Sequence, residues 1–160
     1  MQDMIVRLME LPDISEAETY HLEMEKIIFR RPIQPEKSLV VNWVRENFSQ
    51  NWADETEMAF ASLPANCFIA QRGQSILGFA CFEVSAKNFF GPTGVLPSER
   101  GKDLGKVLLV KSLQAMKEMG YAYAIIGGVG PASYYKKVVN AEIIVDSEKS
   151  IYQNLLMHHK

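Results

Sequence analysis

The segment Thr93-Gly-Val-Leu-Pro-Ser-Glu-Arg100-Gly-Lys-Asp-Leu-Gly105-Lys106 concentrates residue types suited to holding an anion. It joins an apolar, strand-like run at 88–96 to a stretch at 102–119 in which Leu104, Val107, Leu108, Leu113 and Met116 recur at helical spacing. Gly120 follows as a stop. The first turn of a helix leaves backbone N–H groups without intrahelical acceptors and presents the positive end of the helix dipole. Glycines at such a junction let a phosphate approach the backbone closely, and Arg100, Lys102 and Lys106 add positive charge on the same short segment. Together these residues describe a phosphate cradle. A helix start with ordinary surface lysines would account for the glycines alone, so the reading rests on the whole string.

The elements that must position this segment follow from the same periodicities. Residues 4–11 form a first strand closed by Pro12, and a helix is expected over 13–29 with Leu22, Met24, Ile27 and Ile28 as its apolar positions. Pro32 and Pro35 punctuate the chain after it. A second helix is expected over 36–48, around Leu39, Val40, Trp43 and Val44, and a third over 51–63, stopped by Pro64. The runs 67–71 and 76–84, separated by Arg72-Gly-Gln, read as a hairpin. After the long helix come a nearly all-apolar strand at 121–126, a short helix at 131–138 and a strand at 142–145. The tail at 150–157 is apolar enough to pack and fits either strand or helix. Strands and helices alternate without repeat or linker, so the expectation is one mixed α/β domain over 1–160.

Composition limits the partners. The chain has 160 residues, 48% of them hydrophobic and 22% charged, as in an ordinary globular domain. Its net charge of -2 provides no broad basic field for nucleic acid or an anionic membrane. No run approaches the roughly 18 apolar residues of a membrane span. The N-terminal residues, broken by Asp3, Arg7 and Glu10, lack the apolar core of a signal peptide, so the cytoplasm is the expected compartment. Cys67 and Cys81 each sit inside an apolar strand-like run and read as buried free thiols. No His/Cys/Asp/Glu grouping has metal-ligand spacing, and none is expected to bind metal.

The string Val95-Leu-Pro-Ser-Glu-Arg100-Gly-Lys-Asp-Leu-Gly105 resembles motif A of the GNAT superfamily of acyl-CoA-dependent N-acetyltransferases, whose core is Gln/Arg-x-x-Gly-x-Gly/Ala after a strand ending Val-x-Pro. Downstream, Ala132-Ser-Tyr-Tyr135-Lys-Lys is similar to the family's motif B. The resemblance is detailed over about residues 76 to 146. It implies a central, mostly antiparallel sheet that splays at a cofactor cleft and is flanked by helices. It implies acetyl-CoA as acyl donor, with the backbone of Thr93, Gly94 and Val95 pairing with the pantetheine arm. Arg100, Gly101, Lys102, Asp103, Leu104, Gly105 and Lys106 would hold the pyrophosphate, and Ala132 and Tyr135 would line the site. Tyr135 corresponds to the tyrosine that protonates the departing thiolate, with Tyr134 in the packing role. The acceptor would be a small-molecule or peptide amine of unknown identity that attacks directly, and a homodimer is an open option.

The sequence departs from the family pattern at several places. Asp103 replaces the first cradle glycine and brings a negative charge; its carboxylate could cap the helix and occupy donors meant for phosphate. Val129 stands where an Asn often contacts the cofactor, and Asn140 where a Gly often ends the short helix. The strand at 88–96 has no carboxylate, so Glu83 is the nearest candidate base, beside the alternative of a solvated strand-end carboxylate. His21 could face the acceptor or be structural; His158 and His159 belong to the terminal residues. Trp43, Phe48, Trp52 and Phe60 could shape an acceptor pocket or simply fill core. Asp103 keeps two other classes open: a catalytically idle acyl-CoA-binding or regulatory module, and an interaction domain without ligand.

Overall fold

Alternating burial sets the framework. Along β3 (Cys67–Arg72) and β4 (Ser75–Phe82), Cys67, Ile69, Phe79 and Cys81 turn to one face of a sheet, and Phe68, Ala70, Ala80 and Phe82 to the other. The computed structural model describes residues 1–157, so His158 and His159 lie outside the described residues. The remaining elements are β1 (Met4–Arg7), α1 (Ser15–Glu25), β2 (Ile27–Arg30), α2 (Lys37–Asn47), α3 (Gln50–Ala59), β5 (Phe89–Val95), α4 (Leu104–Glu118), β6 (Tyr123–Ile126), α5 (Ala132–Val139) and β7 (Glu142–Ile143). Seven strands form one mixed sheet in the order β2-β3-β4-β5-β6-β1-β7. Every neighbouring pair is antiparallel except β5 and β6.

The two faces carry separate cores. Leu104, Val107, Leu108 and Met116 of α4 pack with Phe82, Phe90, Val6 and Tyr135. On the other face Val40, Val41 and Val44 of α2 and Ala53 and Ala59 of α3 meet Phe79, Ile69 and the two cysteines. Cys67 and Cys81 are directly opposite one another on β3 and β4, buried and unbonded. Interaction with the Cys81 thiol, and then burial, raise the Cys67 pKa, which makes it a poor nucleophile.

The first helix differs from the expectation. It stops at Glu25, where Lys26 turns left-handed (φ 58°), and Ile27–Arg30 becomes an edge strand with Ile27 and Phe29 inward and Ile28 outward. The β-branched pair in that run favours strand, and its pairing with β3 overrides the helical reading. The first strand is also shorter and ends in a 3-10 turn at Leu8–Glu10, while α3 ends at Ala59 and β7 spans only Glu142–Ile143. The tail forms turns rather than a helix or strand through 154.

Candidate functional site

β5 and β6 run parallel but pair only where β5 begins and β6 ends, Phe89 with Ile125 and Phe90 with Ile126. Beyond that point β5 continues for residues 91–95 while β6 ends, so the sheet opens into a V. On its other side β5 stays bonded to β4, and Leu96 N–H donates to Leu77 O (2.9 Å). Antiparallel pairs alternate in the direction of their polar groups, so Gly94 faces β4 while Thr93 and Val95 turn N–H and C=O into the open cleft. The Thr93 hydroxyl is occupied, donating to Phe79 O at 3.0 Å. Gly94 has its own constraint: a Cβ there would lie 2.5 Å from the Phe48 ring, which covers it.

The cleft leads to the junction before α4. Asp103 adopts a left-handed conformation (φ 64°, ψ 15°), the backbone shape a glycine takes most readily, and the loop forms with Asp in that place. Its side chain makes no capping hydrogen bond, which corrects the expectation of a capping carboxylate. Among the described residues the N–H groups of residues 101–106 have no protein acceptor, and Asp103 O accepts only from Val107 N–H (3.1 Å). Gly105 borders the cleft: a Cβ there would lie 3.6 Å from the Tyr134 hydroxyl and 3.8 Å from a Val95 methyl. These free donors at a helix start, with a small residue beside them, fit a phosphate-bearing ligand.

The charged residues of the loop are placed differently from one another. Arg100 is exposed and its Nε donates to Val95 O (3.1 Å). Lys102 is paired with Glu99 (3.0 Å), which also binds Arg72 (3.1 Å). Hydrogen bonding to Lys102 and then Arg72 holds the Glu99 carboxyl below its usual range. Lys106 is half-buried, and no ion pair engages it among the described residues.

α5 brings both tyrosines of the second motif to this region, with ring centroids 5.3 Å apart. The Tyr134 hydroxyl is the one beside Gly105; burial raises its pKa, and the Asp103 carboxylate adds to the shift. Tyr135 is 8% exposed within the α4-side core, and burial pushes its phenol up to about 12. Ala132 is the half-buried first residue of α5. Val129 is buried in the core and its N–H donates to Gln2 O (2.9 Å); Asn140 takes the left-handed turn after α5 (φ 55°).

Glu83 lies elsewhere. Its carboxylate accepts the Asn88 N–H and lies beside the Tyr121 phenol, whose pKa it raises, closing the β4–β5 connection at the far end of β5 from the cradle. His21 is 2% exposed and edge-on to Phe29 and Tyr20, beneath α1. The cleft has instead a second set of side chains on its α3 side. Phe48 and Trp52 (centroids 5.3 Å apart) lie toward Gly94, and Glu55 accepts from the Ser85 hydroxyl near Tyr152. Glu55, Ser85 and Tyr152 come from three separate segments, and no spacing in the sequence links them. Among the described residues no group of His, Cys, Asp or Glu is placed to hold a metal, and no helix is long and apolar enough to cross a membrane.

Comparison with known proteins agrees with this geometry. No curated protein matches the chain. Among solved structures, a GCN5-related glucosamine N-acetyltransferase region of a fungal multi-domain GH3 β-N-acetylglucosaminidase superposes with a TM-score of 0.69 at 17% identity, over 89% of this chain and 19% of that one. A GCN5-related N-acetyltransferase from Sphaerobacter thermophilus gives 0.68 at 16% identity, over 89% of this chain and 48% of that one. The chain thus spans about a fifth and about half of these two proteins. A GNAT family acetyltransferase from Brucella melitensis, solved in complex with acetyl-CoA, gives 0.57 at 16% identity, over 74% of this chain and 86% of that one. At these identities the likeness is one of fold. The family model described as acetyltransferase (GNAT) matches residues 37–134, more than half of the sequence, and the chain belongs to that family.

Proposed function

We propose that the protein is an N-acetyltransferase that passes an acetyl group from acetyl-CoA to a primary amine by direct attack. The observation that carries this reading is the run of unpaired N–H groups at residues 101–106, opening onto a β5 edge that β6 leaves free. Acetyl-CoA supplies the acyl group as a thioester. Gly101, Lys102, Asp103, Leu104, Gly105 and Lys106 hold its pyrophosphate through backbone donors, with Arg100 and Lys106 as the cations. The outward-facing backbone of Thr93 and the Val95 N–H bind the pantetheine amides as a sheet edge binds a strand, the Val95 carbonyl being held by Arg100; Gly94 keeps β5 flat under Phe48, and Ala132 borders the arm.

Tyr135 is assigned to protonating the thiolate. A phenol with its pKa at about 12 keeps its proton throughout the physiological range and is available as an acid. Glu83, held by Asn88 and Tyr121, is not assigned a role in the reaction. The acceptor is an amine whose identity the cleft leaves open. Glucosamine belongs in the first screen because the fungal relative's name includes it. A second reading, an acyl-CoA-binding module without turnover, is favoured by one observation, the Asp103 carboxylate beside the free donors. Calorimetry with acetyl-CoA and CoA, followed by CoA release with an amine panel, tests both. Binding with turnover is the expected result; binding without turnover selects the second reading, and no binding overturns both.

A further inference from the structure

Gly127 is the first residue of the chain past the last β5–β6 pair, so it marks the vertex of the V. A Cβ at Gly127 would lie 3.0 Å from the Phe89 ring and 3.4 Å from the Tyr152 ring, so both rings rest on the backbone at that vertex. The Ser85 hydroxyl lies beside the Tyr152 phenol and donates to Glu55 Oε2. Glu55 is half-buried on α3, three residues after Trp52, and the two share a helix face. Trp52 packs on Phe48 and Phe79, which fixes that face toward the sheet. The cradle is at the other end of the cleft: residues 91–95 span about 13 Å at about 3.3 Å per residue. A ligand arm anchored at the cradle and lying along this edge has its reactive end at the vertex, next to Tyr152.

We propose that Glu55 is the catalytic residue that takes the proton from a cationic amine acceptor, in a subsite formed by α3, the β4–β5 connection and the C-terminal segment. The proposal rests on the acetyltransferase reading above. Burial raises the Glu55 pKa, with Asp54 on its own helix adding to the shift and the Ser85 hydroxyl opposing it, so the carboxylate is a stronger base than a solvated one. Tyr152 faces it from the tail, with its own phenol raised by burial and by Glu55. Asp3 also acts on Tyr152, though its carboxylate is engaged by Gly128 N–H (2.8 Å) and the Ser150 hydroxyl (2.8 Å). Two carboxylates around the vertex favour a cation there, and the rings of Phe48 and Trp52 supply an apolar wall.

The step balances as follows. The ammonium group gives one proton to the Glu55 carboxylate and becomes a neutral amine. Its lone pair forms the C–N bond to the thioester carbonyl carbon, the C–S bond breaks, and the electron pair leaves on sulfur. A second proton from the nitrogen is the equivalent of the one that ends on the thiolate, and Glu55 returns its proton to water. Ser85 and Tyr152 act as positioning residues through Glu55.

The test uses the full chain, Glu55→Gln, and two probe nucleophiles: 2-phenylethylamine, which arrives charged, and hydroxylamine, which is neutral at pH 7. The variant is expected to bind acetyl-CoA like wild type by calorimetry and to lose about 100-fold in kcat/KM for 2-phenylethylamine. With hydroxylamine, which needs no deprotonation, the loss should be about threefold or less. The wild-type rate with 2-phenylethylamine should be flat above the Glu55 pKa and fall as pH drops through it. In the variant the rate should instead climb about tenfold per pH unit, following the neutral amine. Equal rates for variant and wild type, equal losses with both nucleophiles, or a wild type that binds acetyl-CoA but turns over neither probe would each overturn the assignment. If wild type fails to bind acetyl-CoA, the acetyltransferase reading itself fails.

Discussion

At the cradle end of the cleft, the groups that would meet a ligand are backbone N–H donors of residues 101–106. At the vertex they are side chains: Glu55, Ser85, Tyr152 and the Phe89 ring. The first end has its donors fixed by one loop and one helix start, and it is suited to an anion. The second gathers carboxylates from α3 and from Asp3, just before β1, and is suited to a cation. In the proposed reaction an anionic carrier meets a basic amine, and opposite electrostatics at the two ends suit that pairing. The backbone of β5 lies between them and keeps them about 13 Å apart.

Breaking the cradle end should have the largest effect. Gly105→Val places a branched side chain where even a Cβ comes within 3.6 Å of the Tyr134 hydroxyl and 3.8 Å of Val95. Acetyl-CoA binding should weaken by about 100-fold, or about 2.7 kcal/mol, while the fold is retained; calorimetry and a thermal melt together check this. Tyr135→Phe separates chemistry from binding. It should lower kcat by about 10- to 100-fold with acetyl-CoA affinity nearly unchanged, whereas Tyr134→Phe, at the Gly105 side, should alter affinity more than kcat. Unchanged turnover in Tyr135→Phe with a good acceptor would remove that residue from the mechanism.

The burial of Tyr135 also has a pH consequence for stability. Its phenol has a pKa of about 12 in the fold and about 10 when unfolded, so the unfolded chain releases the proton first as pH rises. The contribution is fully present below pH 10 and is lost between pH 10 and about 12, to the extent of about 2–3 kcal/mol. Urea melts of wild type and Tyr135→Phe over that range should differ in slope with pH; parallel curves would contradict the assignment.

Smaller effects should come from the charges around the loop. Arg100→Ala should weaken acetyl-CoA binding about three- to tenfold, since Arg100 is exposed and partly engaged with Val95 O. Asp103→Gly should strengthen it a few-fold by removing a negative charge. Because Asp103 makes no cap and sits at φ 64°, the same change should leave the melting temperature equal or slightly higher. A lower melting temperature would show that the carboxylate does stabilise the empty loop.

The difference between the two ends explains what the sequence revealed. The cradle is one contiguous string, so its glycines, its cations and the helix that follows could be read together. The long helix is amphipathic over several turns, and α4 appears nearly where its apolar spacing puts it. The strand Ile27–Arg30 was hidden because its apolar residues also satisfy a helical period, and only pairing with β3 decides between the two. The vertex was hidden for a stronger reason. Glu55, Ser85 and Tyr152 are brought together by tertiary packing, and each alone is an ordinary polar residue on a helix, a loop or a tail. Glu83 drew attention by proximity in sequence to β5, but its carboxylate is spent on closing the connection to that strand. The two tyrosines of α5 show the same limit: neighbours in sequence, one borders Gly105 and the other is buried in the core.

The most direct test of the account is calorimetry of acetyl-CoA against wild type and Gly105→Val at the same pH and salt. The account predicts one site per chain for wild type and a loss of about 100-fold in the variant. Absence of binding to wild type, or equal affinity in the two proteins, would contradict the claim that the cleft between β5 and β6, with the cradle before α4, holds the acyl carrier.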